Sequence, residues 1–185
     1  MEVRIYSLLY LLLTTFWSCT QTTVKRDTVK YLDLNLYMGK WYEIARFNHR
    51  FEYNLVGVTT ELTALPDGKI GIYYVGYRGG LTGAKRSTQG YMQQPDPNKP
   101  GVLKATFLLG FTLYHYILEL DEKDYSYALI GSDQNNNLWI VSRTPCLPTQ
   151  TVNHLLTQAK RHGYNTKRLI WVEQPDDNKI NAVQK

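Results

Sequence analysis

The chain has 185 residues with 15 tyrosines, 4 tryptophans and a formal net charge of +5, long enough for one domain with a real core or an enclosed cavity. Its 21 basic residues are scattered and form no aromatic-interleaved block, which argues against a nucleic-acid partner. So many aromatic residues suit strands and amphipathic pocket walls better than helices.

The first element is an apolar run, Ile5 to Leu13, preceded by Arg4 and followed by Thr14-Thr15-Phe16-Trp17-Ser18-Cys19. It is too short for a membrane-spanning helix and fits the apolar region of a secretory signal. A small residue directly before a cysteine suggests lipoprotein processing, with 1–18 removed and Cys19 the acylated first residue. Cleavage as a plain signal peptide is the alternative. Residues 19–33 then read as a polar tether to a membrane-anchored domain. Acylation of Cys19 would leave the other cysteine, Cys146, a free structural thiol, and no Cys/His spacing suggests a metal.

Beyond the tether, turn signals recur at the short intervals of an all-β barrel or sandwich. Strands are predicted over Lys40–Phe47, Val56–Leu65, Lys69–Tyr77, Lys85–Gln94, Val102–Leu108, Thr112–Asp121, Tyr125–Ser132 and Leu138–Arg143. Pro66-Asp67-Gly68 and the Pro95–Gly101 stretch mark two of the turns. Eight strands in order are what an antiparallel up-and-down barrel holding one small ligand needs. A helix is predicted from Thr149 to His162, with Val152, Leu155, Leu156 and Ala159 on one stripe and Gly163 just past its end. It should pack outside the barrel. Lys167–Glu173 reads as a short final strand, and 176–185 as a polar, disordered tail.

Alternation assigns faces to the strands. Val58, Thr60 and Leu62 share a side, as do Ile70, Ile72 and Tyr74; Leu103, Ala105 and Phe107; and Tyr114, Tyr116, Leu118 and Leu120. These sets should point inward. The candidate cavity wall is therefore Val58, Thr60, Leu62, Ile72, Tyr74, Leu103, Ala105, Phe107, Tyr114, Tyr116 and Leu118. On the first strand, Trp41 inward brings Glu43 and Ala45 inward too, so either Glu43 finds a partner or the strand bends there. His115 falls on the opposite face to its tyrosine neighbours and reads, like the other histidines, as a surface residue. Arg143 ends the eighth strand and is placed to stack on Trp41, plugging one end of the barrel. Leu108-Leu109-Gly110-Phe111 is an apolar loop that would line the mouth, touch a bilayer or form the face of a homodimer.

Three stretches together carry a family resemblance: Gly39-Lys40-Trp41-Tyr42-Glu43-Ile44-Ala45-Arg46, Trp139-Ile140-Val141-Ser142-Arg143-Thr144-Pro145 and Leu169-Ile170-Trp171-Val172-Glu173-Gln174-Pro175. The chain resembles the lipocalin family over 34–175, and within it the bacterial outer-membrane lipoprotein branch near apolipoprotein D. The resemblance implies a carrier of a fatty acid or lysophospholipid in the bacterial envelope. It also implies lipid anchoring at the outer membrane, with a secreted form as the alternative, and neither a cofactor nor catalytic residues. Arg78, Lys85 and Arg86 would give a phosphate a basic rim, or stand as solvated loop charges. Two alternatives stay open: an enzyme on the same barrel, as the resemblance allows although no Ser/His/Asp set or paired carboxylates fall at inward positions, and an envelope module whose barrel is filled by its own tyrosines.

Overall fold

The computed structural model describes residues 27–132 and 136–175. The signal segment, Cys19, most of the tether and the 176–185 tail lie outside the described residues.

Hairpin turns fold the strands into a meander in which each pairs with the next. The strands are β1 (Gly39–Phe47), β2 (Leu55–Ala64), β3 (Ile70–Arg78), β4 (Ala84–Gln93), β5 (Val102–Phe107), β6 (Thr112–Leu120), β7 (Tyr127–Gly131) and β8 (Leu138–Ser142). β8 returns to pair with β1, and β1 pairs with β2, closing an eight-stranded antiparallel barrel. Closure removes the free strand edges that an open sheet would expose. Gly68 takes φ +78° in the β2–β3 turn, where Lys69 N–H donates to Asp67 Oδ1 at 3.1 Å. The predicted strands are present, with ends shifted by a few residues. A four-residue helix not anticipated from the sequence, α1 (Leu34–Tyr37), precedes β1 and is capped by Asp33.

The predicted outer helix forms as α2 (Thr149–Arg161), stopped by Gly163 in the left-handed region at φ +80°. It buries Val152, Leu155 and Ala159, and its apolar side joins Ile44, Leu118, Leu129 and Ile140 on the outside of the barrel wall. Burying Leu155 alone contributes about 2 kcal/mol. The final strand, β9 (Leu169–Trp171), is shorter than predicted and adds to β1 on the edge away from β8, beyond the point where β2 leaves that edge.

The β1–β2 ladder covers only Gly39–Tyr42 against Thr59–Leu62. Past Tyr42 a bulge between Glu43 and Ala45 turns β1 toward β8, leaving a seam between β1 and β2. Residues after β9 fill it. Val172 N–H donates to Ile44 O at 2.9 Å, and Gly57 N–H donates to Glu173 O at 2.7 Å. The buried Gln174 amide donates to Glu43 O at 2.8 Å and to Val58 O at 2.9 Å. Backbone groups that a continuous ladder would pair are thus satisfied by residues 172–174, more than a hundred residues further along the chain.

At one end the barrel is stopped. The Arg143 guanidinium lies over the Trp41 ring at 3.8 Å, while Trp41 Nε1 donates to Tyr37 O at 2.9 Å. Arg143 also donates to the carbonyls of Tyr125 at 3.2 Å, Lys40 at 3.0 Å and Leu36 at 2.7 Å, tying α1 to the ends of β1 and β8. Gly39, at φ +93°, lies close against it: a Cβ there would sit 3.3 Å from Arg143 Nη1. Leu32 and Val29 pack beneath, so the packed body begins a few residues before Leu34. Losing the stack and these hydrogen bonds in Arg143→Ala should lower stability by about 1–3 kcal/mol. Equal melting temperatures for variant and parent would remove this account of the stopped end.

Candidate functional site

The other end is open, ringed by the loops β1–β2, β3–β4 and β5–β6. Below it is a cavity of about 340 Å³. Its floor is apolar: Tyr37, Trp41, Leu62, Ile72, Met92, Ile130 and Val141. Its mouth is also apolar, formed by Phe51, Phe107, Leu108 and Phe111, with the Phe51 and Phe111 ring centroids 4.5 Å apart. The Leu108–Phe111 loop therefore contributes to the mouth.

Of the candidate wall residues, the barrel brings Thr60, Leu62, Ile72, Tyr74 and Phe107 to the cavity. Leu103 and Ala105 point inward but are wholly buried in the packed part of the barrel interior. Val58 is also fully buried, but it packs against Leu55 and Val172 beside the β1–β2 seam and does not line the cavity.

Tyr114, Tyr116 and Leu118 face outward, opposite to the expected side. Leu113, His115 and Ile117 face inward instead. Tyr116 and Leu118 pack in the cluster under α2, and Lys104 Nζ lies 6.0 Å from the Tyr114 ring on the outer surface. The physical reason is that α2 covers the outer wall, so both faces of β6 are apolar and alternation loses its discriminating power. A bulge between Ile117 and Glu119 then shifts the phase, which returns Leu120 to the interior as expected. His115, read as a surface residue, lines the cavity. On β1 the bulge turns Ala45 outward to pair with Ile140, while Glu43 and Arg46 stay inside.

A charged cluster sits in the wall between floor and mouth. Glu43, Arg46 and Glu52 are only 5%, 1% and 7% exposed. Arg46 Nη1 donates to Glu43 Oε1 at 2.6 Å, and its Nη2 donates to the carbonyls of Glu52 at 2.6 Å and Leu55 at 3.0 Å, bridging the seam. Arg46 Nε is 3.5 Å from Glu52 Oε2, His49 Nε2 is 2.6 Å from the same oxygen, and Trp139 Nε1 donates to it at 3.2 Å. The Tyr74 hydroxyl is buried close enough to Glu52 to act on its charge but makes no aligned hydrogen bond.

The two acids differ. Burial, then the charge of Glu52, pushes the Glu43 carboxyl well above the usual carboxylate range against the pull of Arg46. Burial also opposes a charge on Glu52, but its pairing with His49, together with Tyr74 and Arg46, outweighs this and holds its carboxyl below that range. His115, whose ring is 5.5 Å from that of Trp139, is pushed down to about 4 by burial, opposed by the Glu52 charge. Among the described residues, no three His, Cys, Asp or Glu side chains are placed to share a metal ion; in this cluster the cation is Arg46.

Sequence reasoning anticipated that Glu43 needs a partner or a bend, and the structure supplies both. It missed Glu52, His49 and Gln174. The only signal for Gln174 was its place in the Leu169–Pro175 motif.

A barrel stopped at one end and open at the other over an apolar floor is a container for one small hydrophobic molecule. The lipocalin-like domain family model matches residues 32–174. The chain belongs to the lipocalin family. It is 35% identical over 142 residues to the outer membrane lipoprotein Blc of Vibrio cholerae serotype O1, covering 77% of this chain and 82% of that protein. To outer membrane lipoprotein Blc of Escherichia coli K12 it is 32% identical over 160 residues, covering 85% and 89%. The fold is shared with insecticyanin from the tobacco hornworm Manduca sexta, at a TM-score of 0.67 and 20% identity, covering 82% of this chain and 86% of that one.

Proposed function

We propose that this lipocalin carries a single-chain lipid, a fatty acid or lysophospholipid, in the bacterial envelope, anchored to the outer membrane through acylated Cys19. The observation that carries the reading is the cavity of about 340 Å³, open at one end and apolar at its floor. It speaks against a barrel filled by its own tyrosines, because Tyr114 and Tyr116 point out and Tyr74 lines the wall. Family members generally bind hydrophobic ligands and do not act as enzymes, and the charged cluster is engaged in internal pairing. The acyl chain would lie on the floor, with the head group toward the mouth, where Arg78, Lys85 and Arg86 are exposed on the β3–β4 hairpin. The anchored location is supported by the relatives named outer membrane lipoprotein.

The test is to purify the chain from Val24 onward, which contains all the described residues, extract it with organic solvent and identify co-purified lipid by mass spectrometry. Saturated fatty acids of decreasing length should then bind about fourfold more weakly per methylene removed, the equivalent of roughly 0.8 kcal/mol each. Quenching of Trp139, which lines the cavity, gives the titration. An empty extract, together with no saturable uptake at any chain length, would overturn the reading.

A further inference from the structure

The mouth carries more apolar surface than closing a cavity requires. Phe51, Tyr53, Leu108 and Phe111 are 67%, 64%, 71% and 40% exposed. Scattered exposed apolar residues need no explanation; a contiguous rim does. This rim is contiguous, since Phe51 packs on Phe111 and Gly79 N–H donates to Asn54 O at 3.4 Å, joining the three loops. Arg50, Arg78, Lys85 and Arg86 are exposed around the same end, and Glu52, the one acid among the described residues of these loops, is buried.

We propose that the open end of the barrel docks onto an anionic lipid surface, with the aromatic and leucine side chains entering the head-group region and the four cations meeting lipid phosphates. Charge selects the occupant. A second copy seated on this rim would bring the same cations face to face, whereas anionic head groups neutralise them. Aromatic rings at the tip with basic residues set behind them match the layering of a bilayer interface. The cavity mouth then opens directly onto the bilayer. This goes beyond the carrier reading, because the rim docks whatever the cavity holds.

The chain from Val24 with Cys146→Ser, plus either Leu108→Cys at the rim or Leu36→Cys at the stopped end, is labelled with an environment-sensitive dye. It is titrated with vesicles of phosphatidylcholine, or of phosphatidylcholine and phosphatidylglycerol in equal parts. A blue shift is expected at position 108 on anionic vesicles only, with none at position 36. It should weaken with salt, and about fivefold for each of Arg78→Gln and Arg86→Gln. No shift on anionic vesicles, equal shifts at both positions, or a shift that follows protein concentration without lipid (a second copy) each overturn the proposal. Fatty-acid uptake from solution separates the two ideas. Uptake without docking removes the docking surface alone; docking without uptake removes the carrier reading alone.

Discussion

Arg46→Leu is expected to cost about 3–5 kcal/mol of folding stability, the range for removing one partner from a buried ion cluster. Arg46 is almost wholly buried, and it is the cation between Glu43 and Glu52. Without it, two acids remain inside the wall and the carbonyls of Glu52 and Leu55 lose their donor across the seam. The two acids should then respond unequally to substitution. Glu43 is held toward its neutral form by burial, so Glu43→Gln should cost less than Glu52→Gln, whose carboxylate the cluster keeps ionised. Urea denaturation at neutral pH measures all three. A loss below about 1 kcal/mol for Arg46→Leu, the level of an exposed pair, would mean that the cluster does not hold the wall together.

The second large effect is a pH dependence seated on His115. Its pKa in the folded protein, about 4, lies below the ordinary value of 6.5. Full stability is therefore present above 6.5 and is lost as pH falls toward 4, because the unfolded chain takes up the proton first. Allowing for the ring's residual access to the cavity, the loss amounts to about 2–3 kcal/mol. Glu43, with its raised pKa, acts with the opposite sign in the same range, and Glu52 loses its contribution only further into acid. Comparing parent and His115→Leu across pH 6.5 to 4 cancels most of those contributions. The parent should lose stability faster than the variant; parallel curves would mean that His115 titrates as if it were exposed.

The strands and the outer helix were legible because their signals are local. Turn residues, two-residue alternation and the stripe of Val152, Leu155 and Ala159 need no tertiary knowledge. The Trp41–Arg143 stack was legible through two motifs about a hundred residues apart. On β6 the reading failed because alternation reports burial, not interiority, and α2 buries the outer face as thoroughly as the barrel buries the inner one. His115 sat between two apolar neighbours on the true inner face, so the wrong phase sent it outside. Glu52 and His49 lie in a loop whose fold back over the wall has no periodic signature.

The seam between β1 and β2 sets an order of events. The first strand of the barrel is completed by Val172, Glu173 and Gln174, which come late in the described residues. Until residues 172–174 are made, Glu43 O, Ile44 O, Gly57 N and Val58 O lack these partners, so the barrel cannot finish closing before Gln174 is available. Contacts of such long sequence separation slow folding. A ribosome or translocation channel feeding this chain from its N-terminus therefore handles a container that stays unsealed until Gln174 has emerged, which keeps it threadable up to that point. Truncation before Val172 would leave a barrel that never completes its first strand.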